Sequence, residues 1–193
     1  MKDLEENLLF ENSIINDDVL ENRLFEYKTM VNVEFINCKF VALSFSQANL
    51  SKLKLDHCQL ISCNIEKSKI VSIEISNSKI LNLSMDEASV TDCKIMDSNI
   101  NGVKIINSKI SNTLSRNSCL KNYEFIDSEV KSNNYDYCEL ADWSFVNTMF
   151  FSSDFYTSKL ESFDLSFRDF YDSSFSTLQL LEIVNSQGVV IKE

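Results

Sequence analysis

Apolar residues recur at every fifth position from Phe10 to Leu180 in one unbroken frame. The series runs through Ile15, Leu20, Phe25, Met30 and Phe35, holds through the middle, and ends on Phe170, Phe175 and Leu180. Ser115 is its only polar member. A step of five advances about 140° around an α-helix and smears the apolar positions over the cylinder; in a flat strand it throws successive ones onto opposite faces. A chain that turns a corner every five residues points all of them at one axis. The pattern therefore predicts a solenoid of stacked coils.

A second period gives the number of corners. Two residues before each centre, positions ending in 8 are small (Cys38, Ala48, Cys58, Ser68, Ser78), and those ending in 3 are mostly larger (Val33, Leu43, Leu53, Tyr123, Trp143). Like stacks on like only if a coil has an even number of sides, and two sides cannot enclose these side chains. Four sides and twenty residues per coil follow. The fold expected is all-β, a quadrilateral parallel β-helix of nearly nine coils, roughly 40 Å long at about 4.8 Å per coil. Residues 10–180 form this rod. Residues 1–9 are expected to make an N-terminal cap with Leu4, Leu8 and Leu9 inward.

The corners need turn chemistry, yet the chain has no Pro and only Gly102 and Gly188. The Asn, Asp and Ser residues two places after each centre suit the turn through side-chain hydrogen bonds. On one corner these read Asn37, His57, Asn77, Asp97 and Asn117, which predicts a stacked ladder.

Quintets such as Ala48-Asn49-Leu50, Ser98-Asn99-Ile100, Cys138-Glu139-Leu140 and Ser153-Asp154-Phe155 carry a small residue, a polar residue and then an apolar centre. In this the chain resembles the pentapeptide repeat proteins over about nine-tenths of its length. That resemblance implies a right-handed quadrilateral β-helix. Lys39, Lys69, Lys79 and Lys109 depart from the usual Asp or Asn, at a position that faces solvent.

The net charge of −11 is uneven. Residues 1–30 carry eight acidic and three basic side chains, residues 31–120 eight and ten, and residues 121–193 thirteen and five. Phosphate binding needs a concentrated basic surface, so nucleic acid is not the expected partner. A protein with a basic surface is, although acidic charge also serves solubility. Five of six cysteines (Cys38, Cys58, Cys63, Cys93, Cys138) take the inward small position as reduced fillers, and Cys119 takes a polar, partly exposed one. The only histidine is His57, and no metal or cofactor site emerges. The start lacks a secretory pattern and no apolar run spans a bilayer, so no membrane association and a cytoplasmic location are expected.

Three features break the pattern. Thr113 and Ser115 are stacked beneath Asn133 and Tyr135, which predicts a local bulge around 113–116 and 133–135 with Leu114 supplying the inward group. The column Tyr123, Trp143, Phe163 predicts a widened, aromatic-stacked core. Aromatic and aliphatic residues also fall at outward positions: Phe151, Tyr171, Tyr156, Phe167, and the columns Val41/Ile61/Leu81 and Ile106/Ile126/Val146. They suggest an interface, or β-propensity on a flat sheet.

The frame ends at Leu180, and residues 181–193 form an apolar tail with Leu181, Ile183, Val184, Val189, Val190 and Ile191. An open rod end needs cover. The tail either folds over it or pairs with its copy in a homodimer. The Gly188-Val189-Val190-Ile191 ending resembles the C-terminal segment of Qnr-type pentapeptide repeat proteins.

One histidine and two glycines leave little to build a catalytic site from, so the chain reads as a non-enzyme. A hydrolase using surface carboxylates is the poorest alternative. Resemblance to quinolone-resistance and microcin-immunity members implies an acidic DNA mimic that binds DNA gyrase or topoisomerase IV. The contact residues would be Glu139, Asp142, Asp154, Glu161, Asp164, Asp169 and Asp172. The rival expectation is a general protein-binding scaffold.

Overall fold

A computed structural model describes residues 9–163, 169–186 and 188. Residues pair with those twenty places on, in parallel register, along the described rod: Phe10 with Met30, Ile80 with Ile100, Leu120 with Leu140, Phe150 with Phe170. Four sides make each coil. Side 1 carries Phe10, Met30 and Leu50; side 2, Ile15, Phe35 and Leu55; side 3, Leu20, Phe40 and Leu60; side 4, Phe25, Phe45 and Ile65. Sides 1 and 2 share one parallel sheet and sides 3 and 4 the other. The result is an all-β solenoid of about eight turns.

Each corner is a residue in the left-handed region two places after a centre. Asn, Asp and Ser supply most of them, with φ near +50°, because their short polar side chains tolerate that backbone. Ala42, Lys52, Glu87 and Tyr137 adopt it without that help. Thr157 is absent from the set, as its β-branched side chain makes positive φ costly. There the chain closes through Ser158 N–H donating to the Phe155 carbonyl at 2.9 Å.

The small inward residues have a polar task that the period alone does not reveal. The hydroxyl of Ser78 accepts from the Cys58 N–H at 2.9 Å, Ser98 from Ser78 at 3.1 Å, and Ser118 from Ser98 at 3.1 Å. A second such column runs through Ser108, Ser128 and Thr148. Each hydroxyl satisfies a buried backbone donor at the corner one coil earlier, which an alanine could not. Ser98→Ala should therefore cost about 1–3 kcal/mol by stranding the Ser78 N–H. Urea unfolding would show it, and a neutral result would mean that water reaches that corner.

The expected bulge does not form. Leu114–Arg116 and Asn134–Asp136 are regular strands paired in register, with Ser115 and Tyr135 inward and buried. Leu114 stays at an outward position, half-buried. The frame survives because the polar pair is absorbed inside. Asn133 takes over the serine role, its Oδ1 accepting from the Thr113 N–H at 2.8 Å. Tyr135 stacks on Phe155 with centroids 4.8 Å apart.

The aromatic column turns inward as expected. Tyr123 and Trp143 stack at 4.9 Å, and the Trp143 indole N–H donates to the Leu120 carbonyl at 2.9 Å. The Phe163 side chain, Asp164 and Phe167 lie outside the described residues. So do Met1–Leu8; Leu9 opens the first strand and is exposed rather than turned into a cap.

The C-terminal end is closed by a helix, Thr177–Ser186, which begins three residues before the expected end of the frame. Ser176 and Gln179 form a reciprocal capping box: Gln179 N–H donates to Ser176 Oγ at 3.2 Å, and Ser176 N–H to Gln179 Oε1 at 2.6 Å. The buried Gln179 amide then donates to the carbonyls of Phe155 and Ser158. The Phe155 carbonyl, which already accepts from the Ser158 N–H, thereby gains a second donor, and the Ser158 carbonyl gains one at the last coil.

Candidate functional site

The outward positions of each quintet lie one residue before and one after the centre, plus the corner. Stacking sets their neighbours one coil away, so charge pairs run along the rod axis. Lys94 meets Glu74 at 2.9 Å, Arg116 meets Asp136 at 2.7 Å, Lys121 meets Glu139 at 3.1 Å and Lys104 meets Glu124 at 3.4 Å. Most of these groups are well exposed, so each pair contributes little, about 0–1 kcal/mol. They do set where uncompensated charge remains.

That remainder is not uniform around the rod. Side 4 carries Glu26, Glu66, Asp86, Glu87, Glu124 and Asp127 against Arg23, Lys67 and Lys104. Side 2, opposite, carries Asp17, Glu34, Asp56, Glu74, Asp97, Asp136 and Asp154 against Lys54, Lys94 and Arg116. Side 3 is balanced, and side 1 nearly so. The charge is thus organised by side as well as by position along the chain.

The acidic candidates fall on three sides. Glu139, Asp142 and Glu161 are on side 3, Asp154 on side 2, and Asp169 and Asp172 on side 1. Glu139 is held by Lys121, whose hydrogen bond lowers the Glu139 pKa, and Glu161 pairs with Lys159. Asp154 accepts from the Tyr156 N–H at 3.0 Å and Asp172 from the Ser152 hydroxyl at 3.1 Å. Asp142 is an exposed corner residue in the left-handed region, with φ 57°.

The corner ladder on side 2 is broken into pairs. Asn37 donates to Asp17 and Asn117 to Asp97, but His57 turns to Asp56 at 3.0 Å and Asn77 reaches past it to Asp56 at 2.9 Å. Asp56 consequently accepts from Asn77, Ser76 and His57, and these hydrogen bonds pull its pKa down to about 2. The imidazole interrupts the ladder because it does not offer the paired donor and acceptor of an amide at one position.

Apolar groups also reach the surface. Val41, Ile61 and Leu81 stand in register on side 3, and Ile106, Ile126 and Val146 on side 4. Phe151 and Tyr171 pack edge to face on side 1 at 6.2 Å, and Tyr156 and Tyr137 are exposed on side 2. On the helix, Ile183 is buried against the core, Val184 is half-buried, and Leu178 and Leu181 remain exposed. Val189, Val190 and Ile191 lie outside the described residues.

Of the site residues read from the sequence, Thr113, Ser115, Asn133 and Tyr135 are interior. Asn133 Nδ2 is buried without a hydrogen-bond partner, and burial raises the Tyr135 hydroxyl pKa. Five cysteines are buried and Cys119 is partly exposed. Burial raises the Cys58 and Cys138 thiols to about 11. Native protein treated with iodoacetamide should therefore gain one adduct, at Cys119, before unfolding exposes the rest. Rapid labelling of several thiols, read by mass spectrometry, would contradict the packing. Among the described residues no cluster of three or more His, Cys, Asp or Glu is placed to hold a metal ion, and no helix is long and apolar enough to cross a membrane.

The fold matches solved structures. The chain is similar to a trypsin-treated variant of QnrB1, a plasmid-mediated fluoroquinolone resistance protein, at 16% identity over 96% of this chain and 99% of that one, with a TM-score of 0.58. It is also similar to Rfr23, a pentapeptide repeat protein from the cyanobacterium Cyanothece 51142, at 12% identity over 65% and 92% of the two chains, with a TM-score of 0.50. These likenesses are of fold. No curated protein matches the sequence significantly. Residues 30–66 match the family model for pentapeptide repeats, in eight copies, and the same twenty-residue register carries the coil on to Tyr171.

Proposed function

We propose that this chain is a non-catalytic acidic rod that mimics duplex DNA, binds a type II topoisomerase (DNA gyrase or topoisomerase IV), and protects it from an inhibitor or toxin. The observation that carries this reading is the charge on opposite sides 2 and 4. Duplex DNA offers a basic saddle two lines of negative charge on a rod, and the two acidic sides offer the same. The shared fold with QnrB1, a fluoroquinolone resistance protein, supports it. The protein works in the cytoplasm as a homodimer joined at its C-terminal ends, where Leu178 and Leu181 are exposed on the helix. That arrangement brings Asp142, Asp154, Asp169 and Asp172 towards the middle of the assembly.

Gyrase supercoiling with and without a fluoroquinolone tests the proposal. The protein should inhibit the enzyme or restore supercoiling in the presence of the drug. Asp86→Lys with Asp127→Lys should weaken the effect at least tenfold at low salt, and less as screening grows. Neither inhibition nor protection, at a concentration where the protein is dimeric, would end this reading. A second reading, a scaffold for an unrelated protein, is favoured by the in-register column Val41, Ile61 and Leu81 on balanced side 3. Under it, Ile61→Glu abolishes partner binding while the side 4 charge reversals do not.

A further inference from the structure

The rod is hollow along its aliphatic middle, and the space reaches the Phe35, Phe40 and Phe45 rings at its N-terminal end. Near the N-terminal end the centres are Phe25, Phe35, Phe40 and Phe45, and towards the C-terminal end Phe125, Phe145, Phe150, Phe155, Phe170 and Phe175. Between them, from Leu50 to Ile110, every centre is Leu, Ile, Val or Met. The backbone coil is twenty residues round at every level, so its inner cross-section is fixed while the side chains that fill it change in reach. Rings meet across the axis: Phe145 and Phe150 pack edge to face at 5.4 Å, and Phe150, Phe155 and Leu140 have no accessible surface. Aliphatic centres leave a gap. Leu60, Ile75, Val90 and Ile95 point inward, are only partly buried, and line an internal space. Their residual accessible surface faces a cavity of about 160 Å³ inside the rod.

Its lining is almost wholly apolar. It runs from Met30 to Tyr123, roughly 20 Å at about 4.8 Å per coil, and is therefore long and narrow. The thiols of Cys63 and Cys93 lie along it, and the phenol of Tyr123 stands at its far end. Both thiols are turned towards backbone carbonyls of the wall, at 3.3 Å for Cys93 and 3.7 Å for Cys63. A water molecule needs two to four polar partners to be held, and this lining does not offer them along its length. An apolar space of this size stays dry and accepts apolar guests, because a guest regains dispersion contacts that the lining otherwise lacks.

We infer that the aliphatic middle of the rod is a dry internal binding site for small non-polar molecules, of the size of xenon or a short saturated hydrocarbon. The apolar lining excludes anything charged, since a charge would lose its hydration there with nothing to replace it. This site is separate from the acidic outer surface and does not depend on it.

Xenon pressurisation followed by methyl NMR on Ile-, Leu- and Val-labelled protein reads the site directly. Xenon-dependent shifts should appear at Ile75, Val90 and Ile95, which line the cavity, and be absent at Val41 and Ile106 on the outside. Ile75→Phe with Ile95→Phe should abolish them. On that side Tyr135, Phe155 and Phe175 already stack at 4.8–5.0 Å, so two added rings have a precedent in the same column. Val90→Leu, which adds one methylene, should reduce the shifts even if the double variant does not fold. No shifts in the natural protein, shifts confined to surface methyls, or ordered water in the lumen of a crystal structure would each overturn the inference.

Discussion

Trp143→Ala is expected to destabilise the protein by about 4 kcal/mol, at the upper end of what large-to-small core changes do. The indole is 1% exposed, stacks on Tyr123 at 4.9 Å, and touches Phe125, Tyr135 and Phe145. Its loss leaves both a cavity and the Leu120 carbonyl without the indole donor. Trp143→Phe keeps most of the packing and loses the hydrogen bond, so about 1–2 kcal/mol is expected. For a chain of this length the alanine variant should melt roughly 10 °C lower. Circular dichroism in urea and on heating measures both variants. A loss below 1 kcal/mol for alanine would mean that the ring is not enclosed.

The second large effect is at the other polar keystone, Gln179. Gln179→Ala removes the capping-box partner of Ser176 and the amide hydrogen bonds to the Phe155 and Ser158 carbonyls, of which Phe155 keeps the Ser158 N–H. About 2–3 kcal/mol should be lost, from the broken helix cap together with the Ser158 carbonyl losing its buried amide donor. The loss should be local. Hydrogen exchange would quicken through the last coil, around residues 150–176, while the middle of the rod stays protected, as nearest-neighbour stacking predicts. Gln179→Glu separates the roles of the side chain. It keeps the acceptor but sets a carboxylate against two carbonyls, which raises its folded pKa above the ordinary value near 4.3. The destabilisation should grow as pH rises through that value and ease below about pH 4. Uniform destabilisation at every pH would show that the amide donors are not what closes the end.

The two acidic sides illustrate how far a linear reading goes. Counting charge by thirds of the chain places the acid at the ends, because it averages over all four sides. Folding the same residues at twenty per coil shows an acidic excess on sides 2 and 4, and the lysines of side 3 beside Glu139 and Glu161. The acidic candidates were legible as exposed carboxylates. Their distribution over three sides, and the axial pairs that occupy two of them, depend on which residue lies one coil away.

Ser115 shows the opposite case. As the one polar centre it reads as a defect, yet the chain passes through it in register. Whether a polar side chain bulges outward or is absorbed depends on the volume and donors around it. Those come from Asn133 and Tyr135, 18 and 20 residues distant in sequence but adjacent in the stack.

By itself the sequence determined the five-residue side, the four-sided coil, the inward aromatic column and the residues that tolerate the corners. These follow from local backbone preference and from a period that no other fold can use. Only the tertiary structure decided the serine hydroxyl ladder, the inward burial of the Ser115 site, the helical closure by Gln179 and the hollow middle. Each of those depends on the distance and volume left between coils, which the order of residues along the chain does not contain.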